Sequence, residues 1–408
     1  MFSRPNTAQR AGLGALLLVF ASAAPAQPQL TLADAVTAAY QHHPERDLAD
    51  AERNYAAALE TRAAQPFAAD PAFNLKYQTD EIGSGSGYRE WEGGVALPLW
   101  WPGQKAAQQR EAEGVLASAD AMGAAKRLDI AAEVRERLWG VALARSGRDE
   151  AQLALDSAQQ LEQDVARRVE AGELPRSDLL LAQKETVSRR DALQQAANRV
   201  QQAERLFQTY TGLDTVPPIQ PEAASASSAL PADHPQLVLA AAAVEKARAH
   251  RDRVAGERRA GPNLWLGGKQ TRSTSDADYE SSVGIEVSIP LGSKAQAAPA
   301  LAEAATAYTQ AQVEQQRTRL ALQEGLDRAT LELERTRQSL DRAREQLALA
   351  DESLGLARRA FELGETDLVR LLQVRSDAIA AHQALEARRL ELGQATARFN
   401  QALGVLPR

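Results

Sequence analysis

The side chains best able to bind a metal or move a proton are five histidines: His42, His43, His234, His250 and His382. A helical metal site needs ligands one turn apart, but His42 and His43 are adjacent and no carboxylate cluster completes a site. No metal centre is expected. Two of the five precede proline, as His43-Pro44 and His234-Pro235, which points to a structural role at the start of a helix. Gly83-Ser-Gly-Ser-Gly87 has the composition of a phosphate loop. Such loops join a strand to a helix; this one lies between two strand-like segments and reads as an exposed hairpin tip. No Ser–His–Asp spacing, HExxH or Walker loop stands out, so neither an enzyme nor a cofactor is expected.

Composition narrows the classes further. The chain has no cysteine, hence no disulfide, no thiolate ligand, no thiol nucleophile and no cysteine to carry a lipid. A net charge of −7 argues against nucleic acid as a partner. Residues 1–26 read as a secretory signal peptide: Arg4 and Arg10 are basic, Ala11 to Ala21 are apolar, and Ala24-Pro25-Ala26 is a cleavage site. After Gln27 no apolar stretch approaches the roughly 20 residues that a membrane helix needs. Membrane strands, whose signal is weaker, remain open.

The elements that position these residues come in two sets. His43-Pro44 returns as His234-Pro235, and Asp70-Pro71 as Gly261-Pro262. Leu97-Pro98-Leu99 returns as Ile289-Pro290-Leu291, Gly172 as Gly364 and Gly212 as Gly404. All five share one offset of about 190 residues, the mark of an internal duplication. The first repeat is read as 27–216 and the second as 232–408. Residues 217–231, rich in Pro, Ser and Ala, are the linker. Each copy reads as helix (32–64 and 236–259), two strands, a long helix (103–171 and 295–363), a short break and a last helix (177–211 and 367–403). Gly172 and Gly364 suit a left-handed helix end. Ser177 and Thr366 suit the next N-cap.

The strands alternate with period two. Phe73, Leu75 and Tyr77 oppose Asn74, Lys76 and Gln78. Trp91, Val95, Leu97 and Leu99 oppose Glu90 and Glu92. Val283, Ile285, Val287 and Ile289 oppose Ser282, Gly284, Glu286 and Ser288. Asn263–Thr271 fits this pattern less well. In the second long helix Leu340, Leu347, Leu354 and Phe361 recur every seven residues, with Ala343, Ala350 and Ala357 between them, a coiled-coil spacing. The fold class expected is mainly α with a small β part. Four strands cannot close a barrel in lipid, but three chains supply 12.

The duplicated unit and its two tips carry a resemblance to the outer-membrane factor family of TolC-like efflux channels. The tips are Arg168-Val-Glu-Ala-Gly172…Asp178-Leu-Leu-Leu-Ala-Gln183 and Arg359-Ala-Phe-Glu-Leu-Gly364…Leu371-Leu-Gln-Val-Arg375. The segments 95–113 and 289–296 resemble the cobalt–zinc–cadmium branch. The resemblance implies a homotrimer with a 12-stranded β-barrel in outer-membrane lipid and an α-helical barrel in the periplasm. It implies a periplasmic membrane-fusion adaptor and a resistance–nodulation–division inner-membrane pump as partners, with heavy-metal cations as cargo. Adaptor contacts are then expected at Arg168, Gly172, Asp178, Leu179, Arg359, Gly364, Asp367 and Leu371. The gate candidates are Asp367, Arg370, Gln373 and Asp377. Many members carry an acidic ring at the gate; the matching positions here are Arg370 and Gln373. A membrane girdle is expected at Tyr77, Trp91, Trp100, Trp101 and Trp265. Organic efflux, protein secretion and a non-pore coiled-coil scaffold are the alternatives.

Overall fold

The computed structural model describes residues 30–257, 260–292 and 294–407; the expected signal peptide lies outside them. Element order is α1 (Leu32–His42), α2 (Glu45–Ala64), β1 (Ala72–Thr79), β2 (Arg89–Pro98), α3 (Gln104–Glu170) and α4 (Arg176–Thr211). Then follow α5 (Pro235–Gly256), β3 (Asn263–Arg272), β4 (Glu280–Ser288), α6 (Lys294–Glu362) and α7 (Leu368–Ala402). Among the described residues, no helix is long and apolar enough to cross a membrane.

Helices α3 and α6 have 67 and 69 residues, about 100 Å each at 1.5 Å per residue. The shorter helices pack beside them: α2, α4, α5 and α7 on α3, and α5 and α7 on α6. The absence of a side chain at Gly393 of α7 lets the Trp139 ring of α3 lie against its backbone; a Cβ there would sit 2.1 Å from Cη2. Residues 217–231 have no regular structure. They are fastened by Arg135 of α3, whose guanidinium donates to both carboxylate oxygens of Glu222 at 2.8 and 2.7 Å. Arg135 also donates to Gln401 Oε1 at 2.5 Å and to the Val405 carbonyl at 3.1 Å. Asn400 adds three more bonds, accepting from Ser225 N and donating to the Ala223 carbonyl, both at 2.9 Å, and donating to Glu222 Oε2 at 3.3 Å.

The four strands form one antiparallel sheet in the order β1-β2-β3-β4. Strand β3 is regular despite its weaker pattern and runs one residue past the expected end. Its glycines, Gly267 and Gly268, interrupt the alternation in sequence but not the hydrogen-bonded ladder with β2 and β4.

Two helix expectations need correction. The first helix is two helices, broken at His43 (φ −83°, ψ 130°), because a residue before proline is pushed out of the α region. Its Nδ1 accepts the Glu45 N–H at 3.4 Å, and His234 Nδ1 accepts the Gln236 N–H at 3.2 Å. Both His–Pro pairs therefore use one helix-entry device. The caps at the tips also differ. Asp367 rather than Thr366 caps α7, accepting the Arg370 N–H at 2.8 Å, since a carboxylate reaches and attracts the free amides of the first turn. Ser177 lies inside α4, whose N-cap position is Pro175 with no side-chain cap.

Candidate channel wall and periplasmic tips

Register assigns every strand residue to one of two sheet faces. One carries Phe73, Leu75, Tyr77, Trp91, Val95, Leu97, Leu264, Leu266, Val283, Ile285 and Val287. Its large side chains stand in the open: Phe73 is 71% exposed and Val283 93%. The Tyr77 and Trp91 rings pack 4.4 Å apart near the hairpin end. Trp100 and Trp101 follow β2 at the opposite, helical end. Their indole N–H groups donate to the Gln65 and Ala260 carbonyls at 3.1 and 2.9 Å. Trp91 and Trp100 are nine residues apart, about 30 Å of extended chain and roughly 23 Å in height at a 40° tilt. That matches the ~25 Å apolar band of a membrane barrel.

The opposite face is polar. It presents Asn74, Lys76, Gln78, Glu90, Glu92, Lys269, Thr271, Glu280, Ser282 and Glu286. Glu90 lies between two ammonium groups, 2.6 Å from Lys269 Nζ and 3.5 Å from Lys76 Nζ. Trp265 belongs to this face, paired in register with Ala96 and Glu286, so it cannot serve a girdle on the apolar face. Its period-two position, not its residue type, decides the face.

The Gly83–Gly87 segment is a hairpin tip. Asp80 accepts from the Ser84 hydroxyl at 2.7 Å, and from the Ser86 hydroxyl and N–H at 2.6 and 2.8 Å. These bonds hold its carboxyl well below the usual carboxylate range, with the Ser86 hydroxyl contributing most. The tip also meets the β3–β4 loop, where Ser275 N donates to the Ser86 carbonyl at 3.1 Å.

The two far helix turns share one geometry. Gly172 and Gly364 have φ +79° and +75°. The next residue's N–H reaches back to the carbonyl of Arg168 in one and of Ala360 in the other, both at 2.8 Å. This is the Schellman closure that glycine favours. A small core joins the two tips: Leu161, Val165 and Ala182 pack with Phe361, Leu368 and Leu371. Leu371 is therefore buried at 4% exposure and supports the tip from within, whereas an adaptor contact needs it outside. Its place in the buried stripe with Leu368, Val374 and Ala378 explains this. Leu179 is half-buried against the same core. Arg168 lies over the Phe361 ring at 5.1 Å, and Gly172, Asp178, Arg359 and Gly364 are exposed or nearly so.

The gate candidates Asp367, Arg370, Gln373 and Asp377 are all exposed; Asp367 caps α7, and the other three lie on the helix beside its buried stripe. Sequence reasoning missed a residue on the inner side. Arg375 borders a cavity of about 280 Å³ together with Ser157, Asp164, Arg168, Arg358 and Phe361. It donates to the Ser157 hydroxyl. Burial, and then the like charge of Arg358, push its guanidinium down to about 10. A charged residue breaking the run Leu371-Leu372-…-Val374 was the available signal. Among the described residues no group of His, Cys, Asp and Glu could hold a metal ion.

Residues 226–405 match the model of the outer membrane efflux protein family. No curated protein matches. The fold is that of solved outer-membrane channels. Against CusC the TM-score is 0.74 at 16% identity, over 92% of each chain. Against VceC from Vibrio cholerae it is 0.71 at 14% identity, over 92% of this chain and 96% of that one. The outer membrane channel MtrE of Neisseria gonorrhoeae gives 0.68 at 15% identity, over 92% and 89%. Residues 226–405 thus resemble the outer membrane efflux proteins in sequence, and the chain as a whole has the TolC-like fold of these solved channels.

Proposed function

We propose that three copies of this chain form an outer-membrane efflux channel, a passive duct through a 12-stranded barrel continued by an α-helical tube into the periplasm. One observation carries the reading. A four-stranded sheet with an apolar, exposed outer face leaves β1 and β4 each with an open edge, and open edges are not tolerated in lipid. Pairing β4 of one copy with β1 of the next satisfies both edges. The helices support the same assembly. Leu349, Leu356 and Leu363 of α6 and its C-terminal turn, and Leu180 and Val187 of α4, recur at heptad spacing and are 58–74% exposed in the single chain. Such stripes await a neighbouring helix. A coiled-coil scaffold without a pore needs no apolar sheet face.

Within this reading the chain is two repeats, 27–216 and 232–408, joined by 217–231. Tyr77 and Trp91 form the outer girdle, and Trp100 and Trp101 the inner one. The exposed tip residues around Gly172 and Gly364 meet a periplasmic adaptor that connects to an inner-membrane pump. The cargo is heavy-metal cations, a reading supported by the likeness of segments 95–113 and 289–296 to the cobalt–zinc–cadmium branch. A deletion strain should become hypersensitive to Co²⁺, Zn²⁺ or Cd²⁺ and recover with the intact gene. Normal metal tolerance with hypersensitivity to dyes or detergents would keep the channel and remove the metal assignment.

A further inference from the structure

Trp265 is the one large aromatic side chain on the polar sheet face among the described strand residues, and the sheet is shaped around it. Gly94, Gly267 and Gly284 stand side by side on three neighbouring strands. A Cβ at Gly267 would come within 2.3 Å of the Trp265 ring, one at Gly94 within 2.6 Å, and one at Gly284 within 3.2 Å. Ring atoms thus lie over all three glycines, with the indole flat on the sheet. Glycine inside a strand weakens it, and a row of three marks a close approach. The bed occupies one π face of the indole and leaves the other towards the polar side.

The surroundings of that open face are anionic. Glu286 is the register partner of Trp265 on the same face, so their Cβ atoms are about 5 Å apart. Glu286 is exposed, and no ion pair to it occurs among the described residues. Across the face four carboxylates (Glu90, Glu92, Glu280 and Glu286) outnumber two ammonium groups (Lys76 and Lys269). Among the described residues no cation sits over Trp265, although five other aromatic rings carry an arginine.

We infer that Trp265 and Glu286 form a wall subsite for planar aromatic cations passing through the lumen, one in each copy. The indole stacks on the flat ring and attracts its charge, while the carboxylate pairs with it. This rests on the channel reading, which turns the polar face inward. A small hydrated divalent metal ion has no flat face and gains little from the indole.

The test is current block of the purified protein in planar bilayers by N-methylquinolinium. Naphthalene-2-sulfonate serves as the anionic control and Cd²⁺ as the metal control. N-methylquinolinium should block reversibly, and neither control should match it at equal concentration. Trp265→Ala should raise the half-blocking concentration about five-fold, the size expected for a partly exposed cation–π contact of about 1 kcal/mol. Glu286→Gln, which leaves the glycine bed untouched, should also weaken block, and Trp265→Tyr should restore much of it. Equal block of wild type and Trp265→Ala, or equal block by the sulfonate, overturns the subsite while leaving the channel intact. Absence of any conductance in the wild type would overturn the channel reading and the subsite with it.

Discussion

Arg135 and Glu222 lie 87 residues apart and meet through two parallel hydrogen bonds of 2.8 and 2.7 Å. The arginine side chain is 3% exposed and the glutamate 17%, so the pair is largely withdrawn from water. It ties the linker to the long helix of the first half, and Arg135 also binds Gln401 and Val405 of the second half. The linker and both halves of the chain thus meet at one guanidinium.

Removing only the acid would leave a buried charge without its partner. Glu222→Ala should therefore destabilise the chain by about 3–5 kcal/mol. The paired change Arg135→Met with Glu222→Leu should cost less than either single change, because no uncompensated charge remains. Thermal unfolding in detergent measures both. A small, additive effect would mean that the pair does not fasten the linker.

Gly393 faces the Trp139 ring with no room for a methyl group. Gly393→Ala should force the indole or the helix aside and cost about 1–3 kcal/mol. Trp139→Phe should recover part of the loss in the double variant. An unchanged melting temperature for Gly393→Ala would show that α3 and α7 are not held at this spacing.

His234 is 2% exposed and uses Nδ1 to accept the Gln236 N–H, a role that requires the ring to be neutral. Burial lowers its pKa from the ordinary 6.5. The unfolded chain then binds the proton more readily than the folded one, so stability rises with pH. This contribution is fully present above about pH 6.5 and is lost as pH falls below it. His234→Gln should flatten that part of a stability profile between pH 7.5 and 5. The same slope in the variant would assign the dependence to other groups.

The tips rest on two left-handed glycines. Gly172→Ala and Gly364→Ala should each cost about 1 kcal/mol and loosen the turns without altering the sheet. Faster amide exchange confined to residues near 172 or 364 would show this. Asp367→Ala should add a similar local loss by removing the α7 cap.

Helices and strand faces were legible because burial imposes periodicity: the heptad at Leu340 to Phe361 and the alternation at Phe73 to Tyr77 both follow from local geometry. The break at His43 was visible as His–Pro but was outweighed by the helical pattern on either side. Aromatic type points Trp265 to a membrane interface, whereas its face depends on register with β2 and β4. Arg135, Glu222 and Arg375 were not legible as partners. Their contacts join residues 87 and 218 positions apart, and no local rule links such positions. The tip motif read linearly places Leu371 at the surface, whereas the packing of the two turns against each other buries it.

On the proposed function, the sheet becomes a pore only when three chains meet. The most direct measurement combines the mass of the purified protein in detergent with its conductance in a planar bilayer. A channel of three chains should give a detergent-dependent trimer and a steady ionic current. Lysine substitution at Ile285, on the apolar face, should reduce its insertion. A monomer soluble without detergent and carrying no current would contradict the proposed function.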